Sequence, residues 1–171
     1  MDLPYPVRFL PLLLLGATSC SVGSTGQFTS LAPAESCLTG TVFSVGTDFA
    51  PATILRLDAG GESRITGNRE DQIRFLTGAV VTVCGPVTTD ARTIEVQSFE
   101  LRAVDGMTAY LGTLQEIDGA WQLKPDGNGV PVPLSGVPDQ LREAEGSLVW
   151  VAGTWADQAF SVKSFGLMGR S

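Results

Sequence analysis

Residues 71–83 read Asp-Gln-Ile-Arg-Phe-Leu-Thr-Gly-Ala-Val-Val-Thr-Val, and residues 139–151 read Asp-Gln-Leu-Arg-Glu-Ala-Glu-Gly-Ser-Leu-Val-Trp-Val. At this offset of 68, Asp71, Gln72, Arg74, Gly78 and Gly85 recur as Asp139, Gln140, Arg142, Gly146 and Gly153. With a small shift, Ile94, Val96, Ser98, Phe99 and Leu101 match Phe160, Val162, Ser164, Phe165 and Leu167, and upstream Gly40-Thr41-Val42 matches Gly112-Thr113-Leu114. A repeat on this scale means that one small unit is used twice. The repeat divides the chain into residues 37–105 and 106–171. Each half is small for an independent hydrophobic core, so the two are expected to pack together or to carry a covalent staple.

Each half carries five short strand-like runs and one short helix. In the first, the runs are 38–45, 53–57, 63–66, 79–84 and 93–101. Leu55 and Leu57 alternate against Arg56, and Asp58-Ala59-Gly60-Gly61 supplies the positive φ that a hairpin turn needs. Asn68 is placed to cap a helix starting near Arg69, with Asp71 in its first turn. Ile73 and Leu76 share a face of that helix, and Gly78 ends it. The second half repeats the order over 109–117, 120–123, 130–134, 148–152 and 159–167, with a turn at Asp126-Gly127-Asn128-Gly129 and a helix opening at Pro138.

Strand, hairpin, short helix, strand, strand in about 70 residues resembles the OB-fold, a small closed Greek-key barrel. The resemblance is to the OB-like domains of bacterial envelope proteins and covers residues 37–171. It implies an all-β chain with small helical plugs: two tandem five-stranded OB-fold-like Greek-key barrels, each helix closing one mouth. An SH3-like barrel is the rival, but it would lack a helix where Asp-Gln-Ile/Leu-Arg recurs. In an OB-like barrel strand one runs antiparallel to strand four. Cys37 begins strand one and Cys84 ends strand four, and the same slots in the second half hold Ala109 and Ala152. Joint replacement is what one bridge would give, so a Cys37–Cys84 disulfide is expected in an oxidising compartment, with two buried reduced thiols as the alternative.

The N-terminus points to such a compartment. Phe9–Ala17 is apolar but far below the ~20 residues of a membrane-spanning helix. Leu15, Ala17, Ser19 and Cys20 resemble the end of a bacterial lipoprotein signal, in which the cysteine is acylated and becomes the mature N-terminus. The alternative is an ordinary secretory signal cut near Ala17 or Ser19. The resemblance implies a signal peptide at 1–19, a lipid on Cys20 and a small, polar, flexible tether over 20–36. The protein would then sit in the cell envelope, at the outer membrane or the periplasmic face, held to the membrane by its N-terminal lipid.

Chemistry-bearing clusters are few. There is no histidine, and the only lysines are Lys124 and Lys163, with no Ser-x-x-Lys run, so no nucleophile–base pair suggests itself. Carboxylate pairs such as Glu70-Asp71 and Glu143/Glu145 read as solvated surface charges. Asp126-Gly127-Asn128-Gly129 opens like a calcium loop, but the twelfth position is Val137 rather than an acid. No catalytic residue, metal or cofactor is expected. The formal net charge is −7, shared about equally by the halves, which argues against nucleic acid as a partner.

The aromatics are the remaining signal. The loop after the first strand, Val45 to Pro51, is long and carries Phe49. From Gly40 to Leu57 is 17 positions, against 11 from Gly112 to Leu123. Trp155 is expected just after strand four of the second half, where the first half has Val87. Val149 and Val151 match the inward Val81 and Val83, so Trp150 should point out of its barrel in the place of Thr82 and form an apolar strip with Leu148. That strip would pack on the first barrel or meet an external partner. Phe49, Trp150 and Trp155 are therefore the candidate binding residues of a non-enzymatic binding or assembly module, with an envelope protein or glycan as partner. A purely structural spacer or subunit is the alternative, and a hydrolase the least supported reading.

Overall fold

Two glycine pairs in the repeat mark where the backbone must pass unusually close to itself. A Cβ on Gly40 would lie 2.1 Å from the carbonyl oxygen of Arg56, and one on Gly112 2.4 Å from that of Lys124. On Gly85 and Gly153 it would lie 2.0 Å from the carbonyl oxygens of Glu95 and Ser161. All four contacts are to backbone, which cannot swing aside. Gly85→Ala or Gly153→Ala is therefore expected to cost about 3 kcal/mol, the upper range for overpacking. Urea denaturation checks this, and a cost below ~1 kcal/mol would show that the strands can part there.

The computed structural model describes residues 35–47, 49–88, 92–127 and 129–168, all within one compact unit. The segment expected to be a signal peptide, 1–19, the expected lipidation site Cys20 and the expected tether up to residue 34 lie outside the described residues. Glu35 and Ser36, expected as the last two positions of a tether, instead open the first strand, because they continue its ladder opposite Pro86 and Gly85.

The first half runs β1 (Glu35–Thr47), β2 (Ala50–Leu57), β3 (Glu62–Thr66), α1 (Glu70–Arg74), β4 (Val80–Pro86), β5 (Thr93–Glu95) and β6 (Ser98–Val104). The second runs β7 (Met107–Ile117), β8 (Ala120–Lys124), β9 (Val132–Ser135), α2 (Asp139–Arg142), β10 (Leu148–Ala156) and β11 (Ala159–Leu167). The protein is all-β with two short helices, as the sequence implies. In the second half β7 pairs with β8, β8 with β9, β9 in parallel with β11, β11 with β10 and β10 with β7, so the pairings return to their start. The first half follows the same order, with β5 parallel to β3 and β6 antiparallel to β4, but among the described residues no ladder closes it: β5 meets the end of β4 only through the isolated Val87–Ile94 bridge. The run expected as one strand over 93–101 is thus two strands. Between them the Val96 N–H donates to the Thr66 carbonyl at 2.8 Å and the Gln97 N–H to the Cys84 carbonyl at 3.0 Å, so the chain leaves one partner for the other at that point.

Cys37 faces Cys84 directly across β1 and β4, and the two form the expected disulfide. Ala109 faces Ala152 in the matching register of β7 and β10. The repeated Asp-Gln-Ile/Leu-Arg segment is a single helical turn. Its Asp and Arg pair across that turn, Asp71 with Arg74 and Asp139 with Arg142. Its apolar residue, Ile73 or Leu141, is wholly buried. The N–H of Gly78 then donates to the Val42 carbonyl at 2.9 Å and that of Gly146 to the Leu114 carbonyl at 2.8 Å, which pins each turn to the first strand of its half. Asn68 does not cap α1: Arg69 occupies the N-cap position with no side-chain hydrogen bond, and Gly78 closes the turn beyond the helix rather than the helix itself. Pro138 stands one place before α2, in extended backbone, since its fixed φ suits either position.

Inward side chains form two clusters. Val42, Leu55, Ile65, Ile73, Val81, Val83 and Ile94 centre the first. Leu114, Leu123, Leu141, Val149, Val151 and Phe160 centre the second. Ala109, Ala152 and Met168 of the second half are buried in the first cluster, and Leu111, Leu148 and Trp150 pack against it. A hairpin over Asp105-Gly106, both at positive φ, pairs the end of β6 with the start of β7.

Candidate binding site

Phe49, Trp150 and Trp155 do not converge on one site. Phe49 is 100% exposed at the tip of the β1–β2 hairpin, so it touches neither tryptophan. The segment expected as a long loop is mostly strand, paired out to Thr47 and Ala50. Val42 faces Leu55 where Leu114 faces Leu123, so Leu55, not Leu57, is the counterpart of Leu123. The first hairpin is then four residues longer than the second, or two cross-strand pairs, a smaller excess than the sequence comparison implies.

Trp150 points away from the second cluster, into which the flanking Val149 and Val151 point, and is half-buried against the first. Opposite it in the ladder is Gly166, whose missing side chain makes room for the ring: a Cβ there would lie 2.4 Å from the indole nitrogen.

Trp155 lies inside β10 rather than after it, because the strand runs on to Ala156 in its pairing with β11. It faces Phe160, and it is 51% exposed. Its Nε1 donates to the Tyr110 hydroxyl at 3.1 Å. The indole meets Tyr110 at an interplanar angle of 81° and Phe160 at 72°. Tyr110 in turn meets Phe160 edge-on at 5.0 Å between centroids. These are T-shaped contacts, the favoured aromatic geometry. The indole is held by its edge and by a hydrogen bond while about half of its surface remains open to solvent.

Tyr110 and Phe160 were not singled out by sequence reasoning, although a signal for them exists. The slots of Tyr110, Trp155 and Phe160 in the second half correspond to Leu38, Val87 and Ile94 in the first. Leu38 faces Val83 as Tyr110 faces Val151, and Val87 bridges Ile94 as Trp155 faces Phe160. Three neighbouring aliphatic positions become aromatic together, and one of the three is put out in the solvent.

Tyr110 also lines a cleft of about 540 Å³ where β6 and β7 diverge from their shared hairpin. Phe99 and Leu101 of β6, Leu111 of β7 and Val132 form its apolar lining, and Val130, 81% exposed, stands at its rim. β8 ends at Lys124 and β9 begins at Val132, farther apart than the tight turn expected at 126–129, and Pro125, Asp126, Gly127, Gly129 and Val130 from between them line one side of the cleft. Among the described residues no group of three His, Cys, Asp or Glu side chains is placed to hold a metal ion. No helix among them is long and apolar enough to cross a membrane.

No protein-family model, curated protein or solved structure matches this chain.

Proposed function

We propose that this protein is a non-enzymatic binding module of the bacterial cell envelope, built from two OB-like barrels and hung from an acylated Cys20. A closed cycle of five paired strands in the second half supports the barrel reading, as does the same pairing order over six strands in the first, where the single Val87–Ile94 bridge links the ends; each has a helical turn between its third and fourth strands. The Cys37–Cys84 disulfide agrees with export from the cytoplasm. The observation that carries the binding reading is Trp155, an indole half exposed yet locked by Tyr110 and Phe160. A ring already immobilised in the free protein loses little entropy when it meets a ligand, which is the advantage of preorganisation.

Capture of envelope components on the full acylated chain tests the reading. A component retained by the wild type and lost at least tenfold in Trp155→Ala is the expected result, with Cys20→Ala reporting the lipid separately. Equal capture by both proteins would remove Trp155 from the binding surface. A rigid spacer is the second reading, favoured by the packing of Leu148 and Trp150 against the first cluster. It expects capture indifferent to Trp155.

A further inference from the structure

We infer that the cleft between the two halves, together with the neighbouring Trp155 ring, takes a neutral or amine-bearing saccharide chain. This rests on the binding reading above and names the class of its ligand.

The site joins two kinds of surface. On one side stands the edge-held indole of Trp155. Sugar rings carry flat C–H faces that pack on such a ring without requiring charge. On the other side is the cleft, whose volume of about 540 Å³ falls within the ~300–1,000 Å³ usual for ligand pockets. Tyr110 belongs to both, since its hydroxyl accepts from Trp155 while the residue lines the cleft. Trp155 itself does not line the cleft, so Tyr110 is the residue through which an oligomer would pass from one surface to the other.

Glu100 and Asp126 line the cleft with Arg69. Carboxylates accept hydrogen bonds from sugar hydroxyls or from an amine, and the guanidinium donates to ring or acetamido oxygens. Two acids to one base, in a chain of net charge −7, disfavour nucleic acids and other polyanionic polymers.

A peptide added as an extra strand fits less well. Strand addition needs a run of unpaired backbone. On the cleft side, β7 is paired to β6 through Thr108 and to β8 from Thr113, which leaves 109–112, and β6 is paired to β7 only at 103–104, which leaves 98–102; these are two short edges on diverging strands, neither offering more than five residues.

Calorimetric titration of the full acylated chain in detergent tests the inference. The probes are the tetramer of β-1,4-linked N-acetylglucosamine, its deacetylated counterpart, and an uncharged hexapeptide. Val130→Glu narrows the cleft from an exposed position, so its folding is expected to be intact, and near-UV circular dichroism checks that. The expected result is binding of the acetylated, uncharged tetramer that falls at least tenfold in Val130→Glu and in Trp155→Ala; for the deacetylated tetramer, whose amines the added carboxylate attracts, Trp155→Ala alone is read. Saccharide binding lost in Trp155→Ala but unchanged in Val130→Glu would overturn the role of the cleft and leave the binding module standing. Wild-type protein that binds the peptide or neither saccharide would overturn the ligand class.

Discussion

Reduction of the Cys37–Cys84 disulfide is expected to lower the stability of this protein by about 4 kcal/mol. The bridge spans 47 residues, and loop-closure entropy for a ring of that size gives this figure. In melting temperature the loss corresponds to roughly 10 °C for a chain of this length. The folded state has little reason to resist losing the bridge, because Ala109 and Ala152 occupy the same facing slots in the second half without it. Cys37→Ala combined with Cys84→Ala reproduces that arrangement in the first half. The double variant should match the reduced wild type in urea midpoint and should not respond to a reductant. A difference below about 1 kcal/mol between oxidised and reduced protein would mean that β1 and β4 stay associated in the unfolded chain, so that the bridge removes little freedom from it.

The features that were legible in the sequence are those that both halves need for the same steric reason. Gly40, Gly85, Gly112 and Gly153 recur because each is crossed by a carbonyl that leaves no room for a Cβ. Ile73 and Leu141 recur because each helical turn drives one apolar side chain into its core. The cysteine pair was legible through the alanines that replace it. What local pattern did not reveal depends on contacts between distant segments. Strand five of the first half breaks at Val96 and Gln97 because their N–H groups answer to two different strands, and no residue between 93 and 101 announces a break. Asn68 has the right chemistry for a cap, yet the turn begins one residue too late for its side chain to reach. Trp150 was rightly turned outward by period-two alternation, but its place on the first cluster is set by the β6–β7 hairpin, which fixes one half against the other. The cleft is invisible for the same reason: its walls come from β6, β7 and a loop after β8, joined only by folding.

Phe160→Ala is expected to be the most damaging single core substitution near the candidate site, at about 3–5 kcal/mol. Phe160 is wholly buried, and it faces Trp155 across β10–β11 and Leu134 across the parallel β9–β11 pair. Its ring is the shared edge partner of both Tyr110 and Trp155, so its removal opens a void beneath both. Phe160→Ile separates stability from binding. The first half carries Ile94 in this slot, opposite Val87, and buries it completely. Isoleucine refills much of the volume and should cost about 1–2 kcal/mol. It offers no ring edge, so Trp155 would keep its hydrogen bond to Tyr110 and lose its second support. The folded Phe160→Ile protein is therefore expected to show an altered tryptophan emission and a weakened grip on whatever Trp155 holds. Urea denaturation followed by two probes checks the pair of claims: far-UV circular dichroism reads the fold and fluorescence reads the indole. Phe160→Ala costing less than about 1 kcal/mol would contradict the packing. Unchanged binding in folded Phe160→Ile would show that the Tyr110 hydroxyl by itself is enough to hold the tryptophan in place.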